Sequence, residues 1–526
     1  MSSSPHMQTV PRAGSIIARP SGWLSRVEAD SFESAMIALA IVAVVSAMFL
    51  LSSDEFHHWF LIPLAVCGLV IGTDAIQWLR GRLDLFDPAG LIGLLGFHFF
   101  FLAPLLHVHW QYWIADVAPP PDWRDWLGYM AILNAIGLGL YQVCRRAFRR
   151  PAASRTVWHI DMQLFDWFVP LCIVVSLCGQ IWVYHQFGGI TGYMQARMTN
   201  PRAFEGMGWI FMISESAPIL AAFFVIVHAR RKQMVSWPAV FAGLTALFTF
   251  QMIFGGLRGS RSETVLLLFW VVGCIHLLIR PVSRKFVLLG CAFLCVFMYL
   301  YGFYKNMGME ASQVFSASSD ERNEMAESTG RTWKMLVLDD LGRSDIQAFI
   351  LFRLKNDAQD FTYAKGRTYL GALSLLLPHW ILSERSETVE KEGTEIQTGS
   401  GGYFHDISWS SRVYGLAGES MLNFGPLSVP VVYGLFGLFI GWFRRFSRAL
   451  RLLDSRLLVI PFAIYMSVTI LSADSDNLTY GLAKNGLMPI LVILLCSSRS
   501  SHSTQRRSNS VLPIRAVRQA QALQSH

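Results

Sequence analysis

Along the chain, apolar residues gather into twelve runs separated by shorter polar stretches. A hydrocarbon core about 30 Å thick asks for roughly 20 predominantly apolar residues per helix. The runs at 35–51, 60–79, 90–109, 126–144, 166–186, 209–229, 237–256, 263–280, 286–304, 424–443, 456–472 and 482–496 come close to that length. The pattern predicts an all-α polytopic integral membrane protein of about twelve transmembrane helices. The chain then divides into a tail over 1–34, nine helices over 35–304, a large outer loop over 305–423, three helices over 424–496 and a basic tail over 497–526.

The large loop between the ninth and tenth helices is not uniform. Its ends, "MGMEASQVFSASSDERNEMAESTG" and "SERSETVEKEGTEIQTGSGG", have the Ser/Glu/Gly bias of mobile segments. The stretch around 385–400, with almost nothing to bury, is expected to be a mobile lid. Between the ends, "RTWKMLVLDDLGRSDIQAFILFRLK" mixes apolar and charged residues at helical spacing, and "GRTYLGALSLLLPHWIL" is apolar but too short to span. Both are expected as amphipathic helices lying on, or dipping into, the outer membrane face.

Composition agrees with the membrane reading, since 53% of the 526 residues are hydrophobic and only 15% are charged. Charge then orients the helices, because cytoplasmic loops retain Lys and Arg. The connections "RGRLD", "CRRAFRRPAASR", "ARRKQ", "RPVSRK" and "RRFSRALRLLDSR" alternate with the neutral or acidic, Trp/Tyr-rich turns "SSDEFHHW", "HWQYWIADVAPPPDWRDW" and "SADSDNLTYG". Both termini are therefore expected in the cytoplasm. The net charge of +8 follows from this topology and from anionic headgroups, not from nucleic-acid binding. The polar N-terminal stretch lacks the pattern of a cleaved signal and is expected to be a retained tail. The eight cysteines all fall in or at the ends of the apolar runs, so no disulfide or zinc framework is indicated.

Against that charge rule, outward-facing arginine calls for an explanation. "FGGLRGSRSET" carries Arg258 and Arg261, and "GGITGYMQARMTNPRAFEGMG" carries Arg197 and Arg202, with Tyr193 one helical turn before Arg197. Guanidinium pairs beside glycines and a helix N-terminus make a receptor for phosphate oxygens, whereas an isolated outer arginine would be an interfacial lipid contact. A further cluster, "GGYFHDISWSSRVYGLAGESMLNFGPLS", holds His405, Asp406, Arg412, Tyr414, Glu419 and Asn423. Glu419 is placed at the start of the tenth helix, where partial burial would raise its pKa and make it a base. His405 with Asp406 is the other candidate, and a plain capping carboxylate is the alternative for Glu419. "LDDLGRSD", with Asp339, Asp340 and Asp345, lacks an accompanying histidine and metal-loop spacing and reads as a solvated face. His98 and Asp74 read as scattered, unpaired groups, and Glu215, Asp474 and Lys484 as lying near outer helix ends. No metal and no cofactor is expected.

These segments resemble a known family. "SRVYGLAGESMLNFGPLSVPVVYGLFGLFIGW" is similar to the signature of O-antigen and capsule repeat-unit polymerases of the Wzy type, in which a Gly-Glu pair precedes Asn-Phe-Gly and a glycine-spaced helix. "FGGLRGSRSE" resembles that family's outer Gly/Ser/Arg turn, and "KGRTYLGALSLLLP" its Gly-x-Thr/Ser-Tyr segment leading to a proline. Arg197 to Gly208 fits an arginine-to-glycine spacing of some members. The chain departs from the pattern at Pro378-His379-Trp380, where many members have Pro-Arg, and no role is carried over to His379. The resemblance spans roughly residues 185–445.

The resemblance implies polymerisation of undecaprenyl-pyrophosphate-linked oligosaccharide repeat units into O-antigen, capsule or exopolysaccharide, at the outer face of the bacterial inner membrane. A hydroxyl of the acceptor's terminal sugar attacks the donor's anomeric carbon, and lipid pyrophosphate departs. Arg197, Arg202, Arg258 and Arg261 would hold the diphosphate, with Arg412, Tyr193, Tyr414 and Asn423 as further substrate contacts. Glu419, or His405 with Asp406, would accept the proton. Implied partners are the lipid-linked glycans, membrane lipids, and a chain-length regulator and flippase of the same pathway. The alternatives are an O-antigen ligase using the same donor and a polysaccharide transporter or flippase.

Overall fold

The computed structural model describes residues 22–113, 117–148, 156–199, 201–204, 206–232, 235–258, 261–307, 317–328, 332–357, 361–377, 381–382, 386–399 and 412–501. The protein is an all-α polytopic membrane protein, and 11 helices among the described residues are long and apolar enough to cross a bilayer. They are α1 (Ser31–Ser52), α2 (Leu61–Leu79), α3 (Pro88–Trp110), α4 (Trp123–Phe148), α5 (Met162–Gln186), α6 (Gly208–Arg230), α7 (Trp237–Phe254), α8 (Ser262–Ile279), α9 (Arg284–Tyr304), α10 (Ser428–Ala449) and α12 (Ser475–Leu495). The remaining expected helix, α11, is only Ile460–Thr469. Its run of apolar residues is longer, but Asp454 caps a separate 3-10 turn, Ser455–Leu458, and Pro461 fits the first turn of the new helix.

Local chemistry sets several helix boundaries. Asp87 accepts the Ala89 N–H ahead of Pro88 to start α3, and Asp161 accepts from Gln163 and Leu164 to start α5. Within α6 the helix is broken at Glu215–Ser216, just before Pro218, where a missing N–H disfavours continuation. Ser176 of α5 repairs the break: its hydroxyl donates to Ser214 O at 2.8 Å and accepts the Ala217 N–H at 2.9 Å.

α4 and α10 pack closely together. Gly437 and Gly441, one turn apart, lie against the backbone of Tyr141 and Arg145, so close that a Cβ at Gly437 would sit 2.5 Å from Tyr141 O and one at Gly441 2.6 Å from Arg145 O. The glycine spacing of α10 is thus a close-approach face. At the basic end of the bundle Asp87 pairs with Arg444 and Arg448. At the same end a two-stranded antiparallel ribbon joins β1 (Thr156–Ile160) to β2 (Ser497–Ser501). The ribbon brings the start of the C-terminal tail onto the bundle, which the sequence pattern does not suggest.

The large loop corrects two expectations. Ser344–Asn356 is not an interfacial amphipathic helix: every residue from Ser344 to Leu351 is buried, and the helix packs against α4 and against the helix Gly415–Phe424. The segment read as a lid contains the helix Val389–Thr398, which buries Val389, Gly393 and Ile396. Gly393 meets the Tyr414 ring so closely that a Cβ would clash. This segment therefore has an apolar face to bury, against the expectation that it has almost nothing to bury.

Candidate functional site

The chain reaches α10 through the separate helix Gly415–Phe424, which ends at Gly425 with φ of 81° before Pro426. Only glycine adopts that left-handed turn without strain. Glu419 therefore lies in the middle of this short helix and does not start α10 or cap it, a correction to its expected place. Its side chain is buried, with 3% exposure. Thr368 Oγ1 donates to Glu419 Oε1 at 2.8 Å, and Ser475 donates twice, through its N–H to Oε2 at 2.7 Å and through its hydroxyl to Oε1. Asn423, one turn further, donates to Thr368 Oγ1 at 2.7 Å and to Glu419 O at 2.9 Å, and accepts the Gly366 N–H at 2.8 Å. Because Asn423 occupies an acceptor site of the Thr368 oxygen, the threonine proton is directed at Glu419.

A second carboxylate stands beside this one. Asp474 accepts the N–H groups of Tyr414 at 2.9 Å and Gly415 at 2.7 Å, so it caps the helix that carries Glu419. Burial raises the proton affinity of Glu419 above the ordinary carboxylate range, against the bonds from Ser475 and Thr368. Asp474 is raised as well, by burial first and then by the charge of Glu419. A carboxylate raised in this way takes up a proton more readily than an exposed one.

Tyr414 and Arg412 are engaged with protein. Tyr414 is fully buried, accepts from Gln397 Nε2 at 2.6 Å and docks the helix Val389–Thr398. Arg412 pairs with Asp339 at 3.2 Å, and the Tyr112 hydroxyl donates to the other Asp339 oxygen at 2.7 Å. The aspartate cluster is thus no solvated face. Asp345 is buried, with His107 Nε2 3.8 Å away, and the half-buried Arg343 donates to Ser472 O at 3.2 Å near Asp474. Burial raises the proton affinity of Asp339, opposed by Arg412. His405 and Asp406 lie outside the described residues.

The arginine-bearing loops meet. The helix Gly189–Thr199, which includes Arg197, touches the turn Gly256–Arg258, and Pro201–Phe204, which includes Arg202, follows it directly. Arg261 begins the helix of α8. Only the backbone places these four residues, since their side chains lie outside the described part. Tyr193 is fully buried among Phe187, Phe204 and Phe211, with Leu257 of the opposite turn packed on the same cluster. Its ring binds the two loops together and presents no free face.

Two groups read as isolated are paired. Asp74 accepts two hydrogen bonds from Arg145 at 2.8 Å, and His98 Nε2 lies 2.9 Å from Val337 O. Lys484 bridges α6 and α8, 2.9 Å from Glu215 Oε2 and bonded to Glu263 Oε1. Gly255 leaves room for this cluster: a Cβ there would meet Glu263 Oε2 at 2.7 Å. α12 therefore contacts Glu419 at its first residue and the arginine turn's neighbours further along. Among the described residues no group of three or more His, Cys, Asp or Glu is placed to hold a metal ion.

No family model, curated protein or solved structure matches the chain. The partners of Glu419 were missed in the sequence because Thr368 and Ser475 stand far from it in the chain. The one available signal was the polar turn "SADSDN" at the mouth of the last apolar run.

Proposed function

We propose that the protein is a membrane glycosyltransferase that polymerises undecaprenyl-pyrophosphate-linked repeat units at the outer face of the bacterial inner membrane, with both termini in the cytoplasm. The observation that carries this reading is Glu419, a buried carboxylate of raised proton affinity held among hydroxyls beside the membrane bundle, inside the stretch that resembles the polymerase signature. In the reaction an acceptor sugar hydroxyl forms a new C–O bond to the donor's anomeric carbon as the bond to pyrophosphate breaks. Glu419 takes the hydroxyl proton, and the arginines of the two adjoining loops balance the negative charge on the departing diphosphate.

A second reading, a transporter of lipid-linked glycan, draws on the buried Glu215–Lys484–Glu263 cluster beside the broken helix α6, since ionisable groups inside a bundle often mark a transport path. The lipid-linked glycans of a deletion strain separate the readings. Single repeat units on the surface lipid support the polymerase, unattached polymer indicates a ligase, and repeat units retained on the inner leaflet indicate a flippase.

A further inference from the structure

We propose that the turn Asp474–Ser475 is the positioning device of Glu419, with Ser475 aligning the carboxylate and Asp474 holding the helix that bears it. The inference rests on the reading of Glu419 as the base and extends it to residues outside the signature stretch.

The two consecutive residues grip one helix of ten residues, Gly415–Phe424, at two points. Asp474 takes its first N–H groups, those of Tyr414 and Gly415, and Ser475 takes both carboxylate oxygens of Glu419. A glutamate side chain has three rotatable bonds, and donors on both oxygens, one of them a backbone N–H, fix its plane. Asp474 is itself only 2% exposed, and Arg343, bonded to Ser472 O, supplies a compensating charge beside it. The grip joins the large loop to the head of α12.

The charged and titratable groups acting on this pair come from every packed element. Asp476 follows Ser475 on α12 and opposes the charge of Glu419. Tyr369 lies on the helix Arg367–Ser374, and Arg343 precedes the helix Ser344–Asn356. None of them donates a hydrogen bond to Glu419. Ser475 and Thr368 do, and each such bond favours the ionised form.

The test is an infrared titration of purified full-length protein, following the protonated-carboxyl band that disappears in Glu419→Gln. Ser475→Ala removes a donor to the charged form, so the midpoint should rise by about one to two pH units, the equivalent of one charge-assisted bond. Ser475→Thr, which keeps the hydroxyl, should restore it. If Ser475→Ala yields no folded protein, Thr368→Ala must shift the midpoint in the same direction. An unmoved midpoint overturns the positioning role. Glycan transfer is then assayed with the lipid-linked glycan extracted from a deletion strain. Its acid limb should rise with the midpoint in Ser475→Ala. A midpoint that moves while the acid limb stays leaves the positioning device standing and removes Glu419 as the base.

Discussion

Ser475 gives Glu419 two hydrogen bonds from a single residue, its N–H at 2.7 Å to one carboxylate oxygen and its hydroxyl to the other. The first residue of the last span and the middle of a loop helix are thereby one unit. Roughly 13 Å further along the same span, at about 1.5 Å per residue, Lys484 ties down the neighbours of the arginine turn. The two halves of the candidate site are thus referred to one helix.

Glu419→Gln keeps the shape and loses the proton acceptor. Turnover is expected to fall by about 10²–10⁴-fold, the usual range for a general base, with a much smaller change in donor binding. Steady-state kinetics on purified protein separates the two effects.

The pH dependence follows from the raised proton affinity of Glu419. As the proposed base it would work only when ionised, so activity should be lost as pH falls through a value above that of an exposed glutamate. Stability runs the other way. The folded state holds the proton more tightly than the unfolded one, so this contribution is fully present below the unfolded value and is lost as pH rises through the folded value. Wild type should therefore lose thermal stability relative to Glu419→Gln as pH rises, measured by unfolding of detergent-solubilised protein.

Asp74 and Arg145 pair inside the bundle with little exposure. Asp74→Ala leaves a guanidinium without its carboxylate and should cost about 3–5 kcal/mol, whereas Asp74→Leu with Arg145→Met should recover most of it. Chemical denaturation in micelles checks both variants.

Gly437 faces the Tyr141 carbonyl with no room for a side chain. Gly437→Val should separate α4 from α10 and cost at least about 1–3 kcal/mol. A valine tolerated at full stability would show that the helices do not meet there.

Orientation is open to direct labelling in a background lacking the native cysteines. A cysteine replacing the exposed Asp54 should react with an impermeant thiol reagent in intact spheroplasts, and one replacing the exposed Lys285 should not. The reverse pattern would move the Glu419 site to the cytoplasmic face.

What the sequence determined by itself is the membrane class, the approximate place of the 11 helices long enough to span, and the segment that carries Glu419. A bilayer crossing is a local requirement on length and apolarity, so contiguous residues suffice to reveal it. The eleventh helix came out shorter because the start of its apolar run folds as a separate turn, Ser455–Leu458, capped by Asp454, and Pro461 fits the first turn of the helix that follows. Only the tertiary structure decided the partners: Thr368 and Ser475 on Glu419, Asp474 under its helix, Arg145 on Asp74, and Lys484 between Glu215 and Glu263. It also paired the aspartates read as a solvated face and gave the segment around 385–400 a helix, Val389–Thr398, with an apolar face to bury. Hydrogen bonds and ion pairs join residues that folding brings within about 3 Å regardless of their separation in the chain, and no period or composition along a single sequence records that distance.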